Sequence, residues 1–251
     1  MRRRWWWTVA ASVFCAACID LTTDLDEIVA IEFAALPWPS VVAGDTLRDA
    51  SGAASPLTAR LFDADGDLVT GPVEFLPQQP FVHVVNGLLV ADDTATGAAG
   101  IIASTSGIQS VSRQIEIVAA PDSMAADGVV VPLQWVVPDD PSLNTSQPLA
   151  VRVLSALDAG VRSWIVTFQL EVDGLQIAPS DTTQIFLVGD NGRPSYADTT
   201  DASGRASRRV RLKISPGLVP PDSAVVTVNA SYKGLPLLGS PVRLVLPLGP
   251  G

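Results

Sequence analysis

Cysteine and histidine are almost missing from this chain. Its 251 residues hold two cysteines, Cys15 and Cys18, both in the first eighteen positions, and one histidine, His83. A zinc site or a histidine-based triad therefore lacks partners in the body of the chain. A Ser-His-Asp order, a G-x-S-x-G elbow and a P-loop are also missing, and no site for catalysis is predicted. No segment after residue 18 has the length and 3.6-residue periodicity of an amphipathic helix. Positive charge is scarce as well, with sixteen Lys and Arg against twenty-six Asp and Glu. Without Arg2, Arg3 and Arg4 the basic residues fall to thirteen, and the acidic excess repels phosphate backbones and anionic membranes. Nucleic acid is not an expected partner.

What is present begins with a leader. Arg2–Arg4 form a positive start, Trp5–Phe14 an apolar core, and the small residues Ala16 and Ala17 precede Cys18. That order is an export signal, and its apolar run is too short for an ordinary membrane-spanning helix. The sequence around Cys18 resembles the lipobox of bacterial lipoproteins, with Cys15 where that family usually has Leu. The resemblance implies cleavage after residue 17 and acylation of Cys18, which would hold the chain to a membrane. A soluble secreted protein cut nearby is the alternative. Ile19, not Asp, follows the cysteine, which points to the outer membrane or cell surface. Cys15 and Cys18 formally make C-x-x-C, but one sits at the edge of the signal core, not at a strand-to-helix junction. A mature chain beginning at Cys18 has no second cysteine and must be stable without a disulfide. Residues 18–27, with Asp20, Asp24, Asp26 and Glu27, are expected to be an acidic tether.

From Ile28 onward the pattern is β. Hydrophobic residues make up 47% of the chain, enough for a core. Short apolar or alternating runs recur between clusters of Gly, Pro, Asn and Asp. They include Leu57–Phe62, Val82–Val85, Leu88–Ala91, Leu149–Leu154, Trp164–Val172, Arg205–Leu212 and Val242–Leu246. Asn86-Gly87 predicts a tight hairpin. Val129–Val137 is strongly apolar, and Pro247–Gly251 is expected to be a loose tail. Such spacing predicts an all-β sandwich or barrel.

The chain also repeats itself. Pro56–Leu61 matches Pro148–Val153, and Val73–Phe75 matches Val166–Phe168. Ala91–Gly97 matches Ala197–Gly204, and Ile115–Val118 matches Val242–Leu246. Extra residues in the second copy fall around Gly174–Arg193, in loops or an added strand. Each copy has the size of an immunoglobulin-like sandwich. The division is a signal peptide at 1–17, a tether at 18–27, and domains at 28–120 and 121–251. Ala119–Gly128 is the expected joint. Ala197–Leu212, with its Asp-Thr turn leading into a strand, is the fuller form of a unit whose shorter form is Ala91–Ala103.

The run from Val41 to Phe75, V-x-A-G-D-T-L followed by L-F-D-A-D-G-D-L-V-T-G-P-V-E-F, resembles bacterial Ig-like domains of the invasin/intimin kind. So do T-D-A-S-G-R-A at Thr200–Ala206 and V-V-T-V-N-A-S-Y-K-G at Val225–Gly234. The resemblance covers most of residues 28–248. It implies two tandem Ig-like β-sandwiches, and a non-enzymatic role as surface spacer or adhesion module with a protein or polysaccharide partner. A carbohydrate-binding accessory module is the rival; a planar row of exposed aromatics would mark it.

Candidate sites remain few. Asp63, Asp65 and Asp67 are spaced like the first ligands of a calcium loop, but Gly66 stands fourth instead of sixth, so a plain turn is the better reading and calcium the weaker one. Asp198, Thr200 and Asp201 invite the same two readings. Arg205, Arg208, Arg209, Arg211 and Lys213 form a basic patch, either a contact for an acidic partner or the solvated face of a strand near a sheet edge. Alternation puts Arg208 on the opposite face from the other four. Trp135 and Trp164 are stacking surfaces or core, and Trp38 is expected to be partly exposed. No metal or cofactor is expected.

Overall fold

The computed structural model describes residues 28–215, 217 and 219–251. The signal peptide, the tether and Cys18 lie outside the described residues.

The described chain is all β, without a helix. Its first part contains β1 (Ala30–Phe33), β2 (Ser40–Val42), β3 (Ala59–Phe62), β4 (Leu68–Val69), β5 (Glu74–Pro77), β6 (Val82–Val85), β7 (Leu88–Ala91), β8 (Gly97–Thr105), β9 (Ile108–Gln109) and β10 (Arg113–Val118). The second part contains β11 (Pro121–Ala126), β12 (Leu133–Trp135), β13 (Leu149–Ser155), β14 (Ile165–Val172), β15 (Leu175–Ile177), β16 (Ile185–Val188) and β17 (Ala197–Thr199). It continues with β18 (Arg205–Leu212), β19 (Ser223–Asn229), β20 (Ser231–Tyr232), β21 (Leu235–Pro236) and β22 (Val242–Pro250).

The same sheet is built twice. In the first part the order is β2-β10-β8-β5, and in the second β12-β22-β19-β14. In both, the first pair is parallel and the next two are antiparallel. The facing sheets differ. One is β1-β3-β4, the other β11-β13-β18-β16. Alternation explains which residues enter the core: in β19 the buried positions are Ala224, Val226 and Val228, with the residues between them half-buried. The cores are separate clusters, one around Leu47, Leu89, Ile101 and Ile115, the other around Val153, Phe168, Leu187 and Leu246.

Asn86 and Gly87 close the β6–β7 hairpin with φ of 54° and 77°, as the Asn-Gly pair predicts. Three expectations are corrected. The joint expected over Ala119–Gly128 narrows to Ala119 and Ala120, because Pro121–Ala126 is a strand that pairs with β13. Pro247–Gly251 is not a tail, because β22 runs to Pro250 and pairs with β12. The third concerns Ala91–Ala103, which does not occupy the place of Ala197–Leu212. The strand after Ala91, β8, lies between β10 and β5, whereas β18 lies in the opposite kind of sheet, between β13 and β16. Asp, Thr and Gly recur wherever a chain must reverse, so their likeness does not fix a strand's place.

Candidate functional site

The Asp-rich turns use their carboxylates on their own backbone. Asp63 Oδ1 accepts the N–H of Asp65 at 3.0 Å and of Asp67 at 2.9 Å. Asp201 Oδ1 accepts the N–H of Ser203 at 2.8 Å and of Arg205 at 3.0 Å, and Asp49 Oδ1 does the same for Ser51 and Ala53. Each turn has a glycine at its fourth position, with φ near 80° at Gly52, Gly66 and Gly204. This is one five-residue reversal used three times, and the Asp side chain satisfies amides that the turn leaves open. Asp198 is engaged elsewhere, with Oδ2 accepting the Ser207 N–H at 2.8 Å and pairing with Arg208 at 2.9 Å. Thr200 is buried and bonds Trp164 N and Val161 O. Among the described residues no three His, Cys, Asp or Glu gather where they could hold a metal ion. His83 lies on the surface, 3.1 Å from Asp92.

The basic strand overturns one reading. β18 lies beside the outer strand β16, near an edge as expected, but its cations are not all solvated. Arg208 and Arg211 are 8% and 7% exposed. Arg208 faces inward, over the Phe168 ring, and also donates to Ala197 O. Arg211 lies under the 139–145 loop, where Asp139 sits 2.5 Å from its guanidinium. The Arg211 hydrogen bond holds the Asp139 carboxyl down at about 2, against a burial effect in the other direction. Asn144, also buried, ties Asp139 to Val136. Arg205 pairs with Asp127 at 2.9 Å.

Arg209 and Lys213 open instead onto a groove of about 660 Å³ between the 139–147 loop, β16 and the 189–192 turn.

The residues that most concentrate polar and aromatic chemistry are at the joint between the two parts. Trp38 packs against both cores and lies 5.4 Å from Trp164, which in turn lies 5.8 Å from Tyr232. Val42 and Val118 reach into the second core. Asp45 is the polar centre. It accepts the Thr46 N–H and two bonds from Arg48, takes the Tyr232 hydroxyl at 2.6 Å, and sits 3.4 Å from Lys233 Nζ. Burial pushes its pKa up, but the bonds from Arg48, Tyr232 and Thr46 outweigh that and hold the carboxyl far below the usual range. Burial and the bond to Asp45 push the Tyr232 phenol upward. Ser40 Oγ donates to Ser163 O at 2.8 Å, and Arg162 meets Glu116 at 2.7 Å. Gly52 lies against the backbone of Lys233 and Gly234, where a Cβ would collide.

Trp164 is thus a joint and core residue, 5% exposed, and Trp135 is partly buried against the second core. They form no open row. Sequence reasoning missed Asp45, Arg48 and Tyr232. The only visible signals were the Asp45-x-x-Arg48 spacing after Gly44 and the Tyr-Lys-Gly turn at 232–234.

No family model and no curated protein matches the chain. Solved structures do. The adhesin InvE of Yersinia pseudotuberculosis is 16% identical with a TM-score of 0.36, covering 87% of this chain and 58% of its own. Invasin, a bacterial integrin-binding protein, is 17% identical with a TM-score of 0.30, covering 88% of this chain and 40% of its own. Domains 4 and 5 of the S-layer protein SbsC are 12% identical with a TM-score of 0.31, covering 89% of this chain and 99% of their own. This chain therefore spans a little over half the length of InvE. The invasin kind of protein named from the motifs is among those that the structural comparison returns.

Proposed function

We propose that this chain is an exported, lipid-anchored envelope protein whose two sandwiches, 28–120 and 121–251, act together as a surface spacer and adhesion module and not by catalysis. The observation that carries the reading is the joint. Apolar burial of Trp38, Val42, Val118 and Trp164, plus the Asp45–Tyr232 bond, resists bending between the two parts. A rigid pair of sandwiches keeps a binding surface at a set distance from its anchor, while loops and grooves are free to vary. Acylation of Cys18 would supply that anchor at the outer membrane or cell surface, with the acidic 18–27 segment between anchor and sandwich. The aromatic-row form of a carbohydrate-binding module loses support, since Trp164 is buried.

Two measurements test this. Mass spectrometry of the mature N-terminus, with Cys18→Ala as control, is expected to find a diacylated or triacylated Cys18; an unmodified terminus elsewhere overturns the anchor. Small-angle scattering is expected to fit one rigid two-domain shape, and a broad distribution of domain angles overturns the spacer.

A further inference from the structure

We propose that the groove beside β18 binds an acidic, uronate-type polysaccharide, held by Arg209 and Lys213. This deepens the adhesion reading and rests on it, by naming the ligand class and its site. Arg209 is poorly paired. Its guanidinium stands 3.9 Å from Asp190, whose side chain is 84% exposed, and its Nε is buried without a partner. Lys213 donates to Thr182 O at 2.9 Å and stands over the Phe186 ring at 5.1 Å, so its charge is positioned but meets no carboxylate there. Arg211 already belongs to Asp139 and forms the floor.

Within the groove, then, one acid is committed to Arg211 and the other, Asp190, is held loosely in water. Arg209 and Lys213 lie about 13 Å apart along an extended chain. Cations so separated suit single negative charges strung along a polymer, better than a compact phosphate cluster.

A peptide adding itself as a strand is disfavoured by the hydrogen bonds. β18 is flanked on both sides by β13 and β16. On the far side of β16, Leu187 O accepts the Ser195 N–H at 3.1 Å and Val188 bridges to Pro194. Half of the short edge that strand addition would need is already taken. Recognition must come from side chains: the two cations for carboxylates, and the exposed Gln147 beside them for sugar hydroxyls.

The test is calorimetric titration of the full chain with polygalacturonate at low salt, beside its fully methyl-esterified form and poly-glutamate. Binding is expected for polygalacturonate alone, falling as salt rises. Arg209→Ala is expected to weaken it about tenfold, the loss of one charge-assisted hydrogen bond. Asp190→Asn, which removes the competing carboxylate, is expected to tighten it about twofold to threefold. The melting midpoint of each variant checks the fold. Equal binding of poly-glutamate or of the esterified polymer, or an Arg209→Ala variant that binds like the parent, overturns the proposal. So does a parent that does not bind, and if Cys18 is acylated and the joint rigid, that result leaves the spacer role standing.

Discussion

The two sandwiches share one sheet order and differ in almost everything else. The second core holds twenty-six buried apolar side chains among the described residues, two of them from the first part, and is rich in Val and Leu. The first core holds thirteen, four of them alanine. The facing sheet is also unequal. β18, eight residues long, bridges β13 and β16, whereas the first part has only the two-residue β4 beside β3. Charge differs too. Residues 28–120 carry ten acidic and three basic residues, and 121–251 carry twelve and ten. One architecture thus tolerates a thin core in the copy that leans on its neighbour through Val42, Val118 and Trp38. The cations are concentrated in the copy with the complete facing sheet, where the extra strand β16 and the loops around it form a groove.

That comparison can be broken in order of expected effect. Trp164→Ala removes the aromatic shared by joint and second core, and is expected to cost about 3–5 kcal/mol in denaturant unfolding. Its sharper signature is a split transition, with the thin first sandwich unfolding earlier. A single coincident transition by tryptophan fluorescence and circular dichroism would show the parts still coupled. Gly52→Ala places a methyl against Lys233 and Gly234 at a φ of 85°, and is expected to cost about 2 kcal/mol. Scattering should show a changed angle between the parts, while Gly66→Ala, with open space around it, pays only for backbone strain.

Tyr232→Phe removes one charge-assisted bond to Asp45 and is expected to cost about 1–2 kcal/mol by the same unfolding measurement. A double-mutant cycle with Asp45→Asn isolates that bond. The smallest effect is that of pH. The folded pKa of Asp45 lies below the unfolded value of about 3.9. Its stabilising contribution is therefore complete above about pH 4 and is lost as pH falls further, towards the folded value. Asp139, at about 2, follows the same sign in the second sandwich. Stability measured from pH 5 to 2 should fall less steeply in Asp45→Asn than in the parent; equal slopes would remove Asp45 from the acid response.

Much of the fold was legible because period-two alternation and turn chemistry are local. The β6–β7 hairpin follows from Asn86-Gly87, and Val82–Val85, Leu88–Ala91 and Arg205–Leu212 have the bounds their pattern predicts. The repeat was legible where apolar strands matched: Pro56–Leu61 and Pro148–Val153 lead into β3 and β13, each paired with the first strand of its part. It failed where Asp, Thr and Gly carried the match, at Ala91–Ala103, because turn residues report a reversal and not a strand's neighbours. Buried arginines failed for a related reason. Alternation put Arg208 on the face opposite Arg211, correctly, but only the loop bearing Asp139 and Asn144 shows why Arg211 is also covered. The joint was illegible because Asp45 and Tyr232 lie 187 positions apart.

The parallel pairing of β2 with β10 has a mechanical consequence. If the chain is tethered at one end and pulled at the other, β1 peels away from β3 first, one bond at a time. The load then reaches β2 and β10 along their lengths and in opposite directions. Their ladder at Ser40–Val42 and Glu116–Val118 is stressed in shear, so its bonds share the tension instead of failing in sequence. β12 and β22 repeat the arrangement in the second sandwich, and a strained tether would meet the same kind of clamp twice.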